Sequence, residues 1–529
     1  MAGKEDRAAL IAYAKARVAG SAGVSDEAAR SYAAALALSP RNEVLATQAF
    51  AQALEAGNRV LAVNAARALE AAGQSSTDSQ LVLLGEAFST KNWKRASAYI
   101  GSIEMNQGLS FLGPVLRAWM AVGSKRGDPL ASLAAAPNPL TQSYAAEHRP
   151  LLLLATRRKS GAEELLKLAG GENLRDQRLR IAGAATLARK GDRKTALRLL
   201  DGNAPALLRA REIVEARGGL PGDVSTPSAG VAELLIRLAG DLQRQGGTEI
   251  GLRFARIATF LAPENSETWL VTSDILTAAK QNDAALIALS QVPASDPFAD
   301  TASSARIGLL ASTGRSEKAL AEAKAAAEAR PSVTAYSALG DIYGDLDRHQ
   351  EAAEAYGRAL TLLKEDPDAQ PEWTLHLLRG GSLEQAERWP EAKAALEAAY
   401  KLAPTQAVVL NYLGYAQLER RENIDAAMKL IAEAAKLQPD SAEITDSLGW
   451  AHFLTGDTAK AIELLERAAQ GAAADPEINE HLGDAYFKVG RRYEARYAWK
   501  AALLYAEAKD APRLQAKIDA GWTPELASR

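Results

Sequence analysis

The chain has 529 residues, 62 Lys+Arg against 65 Asp+Glu, five His and no Cys. It is 47% hydrophobic but only 6% aromatic, and roughly one residue in five is Ala, well above ordinary usage. The missing Cys excludes disulfide scaffolds, thiolate metal sites and Cys nucleophiles, and a net charge of -3 leaves no global basic footprint for nucleic acid.

The start, Met1 to Leu10, is charged and has no apolar core of a signal peptide. Gly3 does not directly follow Met1, so the myristoylation pattern fails. Upstream elements are helical with Ala-rich contacts. Ala28, Tyr32, Ala35 and Pro40 fit one helix pair, and Ala196 with Leu200 fits another. From Gln74 to Asn138 the composition stays helical but the register is lost, with breaks expected at Gly113-Pro114 and Pro137-Asn138-Pro139. The cluster Leu151 to Ala155 is far short of the ~20 apolar residues that span a bilayer and reads as a buried helix segment. The run Gly218 to Gly230, rich in Gly, Pro and Ser, reads as a linker.

Beyond it the spacing becomes regular. Gly340, Gly380, Gly414, Gly449 and Gly483 recur at about 34 residues, the longer first interval matching the polar insert from Lys364 to Gln370. Small residues follow at Ala352, Ala392, Ala427, Ala461 and Ala495. Bulky ones come four later, at Tyr356, Leu396, Ile431, Leu465 and Trp499, and small ones return after three more, at Ala359, Ala399, Ala434, Ala468 and Ala502. Gly or Ala where helices cross, large residues between them, and Pro404 or Pro439 closing a unit describe stacked helix–turn–helix repeats. This resembles the tetratricopeptide repeat (TPR). It implies an all-α fold, a right-handed TPR superhelix of antiparallel helix pairs. The expected organisation is degenerate TPR-like repeats over 1–140, further TPR-like helices over 141–217, a linker over 218–230, a regular array over 231–510 and a tail over 511–529.

No phosphate-binding Gly-rich loop, nucleophile elbow or H-E-x-x-H pair occurs, and the five His lack metal spacing. His452 and His481 read as packing or groove residues. No enzyme activity, cofactor or metal is therefore expected. In a TPR superhelix the first helix of each pair lines the concave face, and the resemblance places particular positions in that groove. Here they include Asp341, Asn411, Tyr415, Asp446, Trp450, Phe453, Glu480, Asp484 and Phe487. Position five of the first helices carries no Lys or Arg, so an acidic, aromatic groove would favour a basic or apolar segment of a protein or peptide partner. On this reading, Trp450→Ala with Asp484→Lys abolishes capture and leaves helicity intact.

The run from Leu410 to Leu503 is similar to the C-terminal array of proteobacterial TPR proteins, many of them outer-membrane lipoproteins facing the periplasm. The matching features are Leu413-Gly414-Tyr415, Asp446-Ser447-Leu448-Gly449-Trp450, Asp475-Pro476-Glu477-Ile478 and His481-Leu482-Gly483-Asp484. Some such proteins are adaptors for a carboxyl-terminal processing protease. The resemblance implies a non-enzymatic scaffold or adaptor in the bacterial envelope, with that protease as a partner. The alternative is a cytosolic TPR regulator or co-chaperone. The chain as given is expected to be soluble, without a transmembrane segment. It would be periplasmic or outer-membrane associated if a signal was removed and cytoplasmic otherwise. Two departures stand against the lipoprotein type: no signal sequence and no Cys to carry a lipid.

Overall fold

The computed structural model describes residues 2–134, 138–158, 160–171, 173–364, 370–523 and 526. Among these residues there are thirty α-helices and no strand. The helices fall into two compact units, residues 1–313 and 314–529.

The first unit begins with α1 (Ala2–Ser21), α2 (Ser25–Leu38), α3 (Glu43–Glu55), α4 (Arg59–Ala71), α5 (Thr77–Ser89) and α6 (Trp93–Met105). It continues through α7 (Gly113–Ser124), α8 (Pro129–Ala134), α9 (Pro139–Ala155), α10 (Gly161–Leu168), α11 (Leu174–Arg189) and α12 (Arg193–Leu199). It ends with α13 (Pro205–Glu215), α14 (Pro227–Arg244), α15 (Thr248–Leu261), α16 (Ser266–Ala278), α17 (Asn282–Leu289) and α18 (Ala299–Ser312). Side-chain caps set many starts: Asn42, Asn58, Ser76, Asn92 and Asn265 each accept a backbone N–H of the first turn. Gly113-Pro114 opens α7 rather than breaking a helix, because Pro is tolerated in the first turn. Leu151 to Leu154 are buried in α9, as expected.

In this unit α14 packs on α5, α7 and α9, and α15 packs on α3 and α5, so the chain returns onto its own first repeats. Gly230 makes the return possible: a Cβ there would meet the Trp119 indole. Glu233 is fully buried on α14, where it accepts from Arg178 and Arg175, both at 2.7 Å, and from Asn265 at 2.9 Å. A buried carboxylate needs such partners, and they fix α14 against α11 and α16.

The stretch expected to be a linker is built into this core. Leu220 and Val224 are buried, the Val224 N–H donates to Thr186 Oγ1 at 3.1 Å, and the Gly222 carbonyl accepts from Arg178 at 2.9 Å. Gly and Pro here shape a buried connection instead of a solvated one. The compact division falls at Thr313 and Gly314, inside the array expected to run continuously over 231–510.

The second unit comprises α19 (Ser316–Ala329), α20 (Val333–Asp345), α21 (His349–Leu362), α22 (Glu372–Gln385), α23 (Trp389–Leu402) and α24 (Ala407–Glu419). Then follow α25 (Ile424–Leu437), α26 (Ala442–Thr455), α27 (Thr458–Gly471), α28 (Pro476–Lys488), α29 (Arg492–Tyr505) and α30 (Ala511–Ala520). The five small–large–small sets fall where the spacing requires. Ala352, Ala392, Ala427, Ala461 and Ala495 are fully buried. A Cβ added to each repeat glycine would strike the bulky residue of its own pair: Tyr356 at Gly340, Leu396 at Gly380, Ile431 at Gly414, Leu465 at Gly449 and Trp499 at Gly483. Each glycine thus sets how closely two paired helices approach. Apolar clusters here are small and lie between neighbouring helices, whereas one large cluster runs from Ala16 to Leu309 in the first unit. The tail expected at 511–529 contains a helix, α30, packed on α29.

Candidate concave binding face

The first helices α24, α26 and α28 lie side by side and bring most of the predicted residues together. Tyr415 on α24 reaches past α26 and donates to Glu477 Oε1 on α28 at 3.2 Å. Asn411 Nδ2 donates to Ser447 Oγ on α26 at 3.1 Å. Asp341 on α20 lies apart from this group, exposed, and accepts from the Tyr356 hydroxyl at 2.6 Å.

Trp450 is the middle ring of a stack. Phe453 lies 4.7 Å from it on one side and His481 4.0 Å on the other, both tilted by 13°. Trp450 is 2% exposed and His481 is fully buried, so the predicted groove aromatic is part of the packing between α26 and α28. His481 Nδ1 lies 2.9 Å from Asp446 Oδ2. Burial alone would depress the His481 imidazolium. The Asp446 carboxylate, with Glu477 and Asp484 further off, overrides this and holds its pKa up at about 9.

Glu480 and Asp484 do not face solvent, which corrects their expected role as open groove carboxylates. Helix α30 covers them. Lys517 Nζ donates to Glu480 Oε1 at 2.6 Å and to Asp484 Oδ2 at 2.7 Å, and Arg513 also donates to Glu480. Trp499 Nε1 donates to Asp484 Oδ1 at 2.9 Å. Burial pushes the Asp484 carboxyl up, and Lys517 works against that shift. Two carboxylates and two cations balance, as a buried ionic group must.

Phe487 packs against α30 through Gly521. That glycine has φ +94, and a Cβ on it would meet the Phe487 ring. Only a residue without a side chain turns here at so little cost. The turn brings Trp522 edge-on to Phe453, with ring centroids 6.4 Å apart. The acidic and aromatic end of the predicted groove is therefore occupied by the chain's own basic helix.

Sequence reasoning missed Lys517, Arg513 and Trp522. Their signal was faint: Leu514 and Ile518, four apart, flank Lys517 on one helical face. Beside α30, Glu477 is exposed, with Tyr415 and Glu419 half-buried next to it. Glu419 is pushed up, first by burial and then by neighbouring carboxylates including Glu384 and Glu477. No group of three or more His, Asp or Glu able to hold a metal occurs among the described residues, and no helix there is long and apolar enough to cross a membrane.

Tetratricopeptide repeat profiles match residues 333–364, 377–442 and 413–477, which lie within the second unit. The fold of the described residues is all-α, and the second unit carries tetratricopeptide repeats. No curated protein matches the chain in sequence. Similar solved structures include a tetratricopeptide repeat protein from Parabacteroides merdae, 14% identical, with 54% of this chain and 97% of that one covered and a TM-score of 0.39. MamA is 26% identical over 32% of this chain and 96% of its own, with a TM-score of 0.26. The Cut9–Hcn1 hetero-tetramer of the APC/C is 13% identical over 97% of this chain and 96% of that one, with a TM-score of 0.38.

Proposed function

We propose that the chain is a protein-interaction scaffold whose second unit takes a basic segment of a partner on the open concave surface around Tyr415, Glu419 and Glu477. The observation that carries this reading is the seating of Lys517 and Arg513 on Glu480 and Asp484. The inner face of these repeats already accepts a basic helix, in cis, at one end. The adjoining surface offers the same chemistry toward solvent: Glu477 is exposed and accepts from the Tyr415 hydroxyl, with the buried His481 Nε2 4.0 Å behind it. Complementary charge there would steer and select a partner, and an aromatic beside it would anchor it.

The finer reading is an envelope adaptor that presents substrates to a carboxyl-terminal processing protease. It is supported by the likeness of Leu410 to Leu503 to envelope TPR proteins. Fractionation of cells carrying the gene with its native start tests the compartment: recovery in the cytosol would remove the adaptor reading and leave the scaffold. For the binding surface, the test is affinity capture with Tyr415→Ala/Glu477→Lys. Loss of a partner that the wild type holds, with helicity unchanged, supports the site. Undiminished capture would move binding off this surface.

A further inference from the structure

The second helix of each repeat in the second unit turns one face away from the first helices, and α29 differs from the others there. Counted from the first helical residue, positions two, six, nine and thirteen of α21, α23, α25 and α27 carry Gln, Glu, Asp, Lys, Thr, Pro, Gly or Ala. None is aromatic or a large aliphatic. In α29 the same positions are Tyr493, Tyr497, Lys500 and Leu504. Tyr493 is 80% exposed, and Tyr497 and Leu504 are each 73% exposed. The opposite face of α29, with Ala495, Trp499 and Ala502, is buried against the repeat.

The spacing of these four residues is four, three, four. That is the seam along which a second helix packs knobs into holes. Repeats that only needed solubility would keep it free of large apolar side chains, as four of the five do. We propose that this seam is a self-association surface, on which α29 of a second copy of this chain docks antiparallel about a two-fold axis.

The argument for a second copy is self-complementarity. With the axis midway between Tyr497 and Lys500, Tyr493 faces the partner's Leu504, and Tyr497 faces the partner's Lys500, each contact occurring twice. A closed two-fold pair requires this reciprocity. Lysine over a tyrosine ring is a favourable contact. Within this unit the chain already stacks cations on aromatics, Arg491 over Tyr486 at 4.0 Å and Arg420 over Trp389 at 4.3 Å. A parallel pair would set Lys500 against the partner's Lys500 and is disfavoured by charge. The apolar and aromatic area of four tyrosines and two leucines is on the order of 1,000 Å², the low end for a specific interface, which fits a reversible dimer.

The experiment is sedimentation equilibrium of the full chain across the micromolar range, with the register read by disulfide trapping. The native chain has no Cys, so introduced ones are unique. The mass should double with concentration, and Tyr493→Ala/Tyr497→Ala should weaken association at least ~10-fold without loss of helicity. Under oxidation, Tyr493→Cys mixed with Leu504→Cys should give a covalent heterodimer. Neither variant alone should, because an antiparallel register parts like positions by ~16 Å along the axis. Added salt should preserve or strengthen the dimer by screening Arg496 and Lys500. A chain that stays monomeric, a dimer indifferent to the tyrosines or dissolved by salt, or a disulfide formed by Tyr493→Cys alone would overturn the proposal. So would tyrosine-dependent co-sedimentation of the monomer with phosphatidylglycerol vesicles, which would assign the stripe to an anionic surface.

Discussion

Lys517 and Asp484 form a fully buried ion pair, with Nζ 2.7 Å from Oδ2 and neither side chain exposed to solvent. The pair joins the last helix to the last repeat across 33 residues of sequence. It changes the meaning of the acidic positions on α28: they bind the chain's own cap.

Removing the cation alone should be severe. Lys517→Met leaves Glu480 and Asp484 buried without their shared ammonium and should cost about 3–5 kcal/mol locally. Adding Asp484→Asn should recover part of that loss, because Asp484 is the carboxylate left without a cation while Glu480 keeps Arg513. Urea unfolding followed by tryptophan fluorescence of the intact chain measures both, and equal loss in the single and double variants would argue against coupling.

The Asp446–His481 pair predicts a pH limb. The folded His481 pKa is raised, to about 9, above its ordinary value. Its contribution is therefore fully present below the ordinary imidazole range and is lost as pH rises through about 9. The difference corresponds to about 3 kcal/mol at most. Melting of the second unit between pH 6 and 10 (roughly the window between the two pKa values) should fall in the wild type, and His481→Gln should flatten that limb. A wild-type limb unchanged by the substitution would assign it elsewhere.

Trp450→Ala with Asp484→Lys is expected to unfold the end of the array rather than act as a clean binding variant. Trp450→Ala removes the middle of the Phe453–Trp450–His481 stack, at about 3–5 kcal/mol. Asp484→Lys puts a cation against Lys517. Circular dichroism should show a large drop in melting temperature in this variant and a smaller one in Tyr415→Ala/Glu477→Lys, where Tyr415 is a half-buried residue at the edge of the Leu418–Ile431 cluster.

Glycine at the crossing points should be graded by what lies opposite. In Gly483→Ala the new methyl meets the rigid Trp499 indole at 2.4 Å, and in Gly449→Ala it meets Leu465 Cγ at 2.8 Å. Overpacking typically costs about 1–3 kcal/mol. Gly483→Ala should lie nearer the upper end, because leucine can change rotamer and a buried indole cannot. Thermal melts of the two variants give the order.

The repeat itself was legible because its packing is local. Gly483 and Trp499 meet within one helix pair, so a fixed spacing reports a fixed contact, and all five pairs meet as read. The occupied groove was not legible, because Asp484 and Lys517 belong to different elements and the second lies outside the repeat. Position counting placed Trp450 and Asp484 on the inner face but could not show that α28 and α30 cover them. The stretch at 218–230 misled for a related reason: Gly222 and Gly230 make room for Arg178 and Trp119, a tertiary need that looks like solvated flexibility in composition. In the first unit, nothing in the local sequence marks Glu233; Arg175, Arg178 and Asn265 converge on it only in the fold.

The central claim, that α30 fills the acidic end of the concave face, is tested most directly by amide hydrogen exchange on the intact chain. Residues 511–520 should be protected to a degree comparable with 476–488, and Lys517→Ala should lower protection in both segments together. Exchange of 511–520 in the wild type at the rate of an unstructured tail would contradict the account.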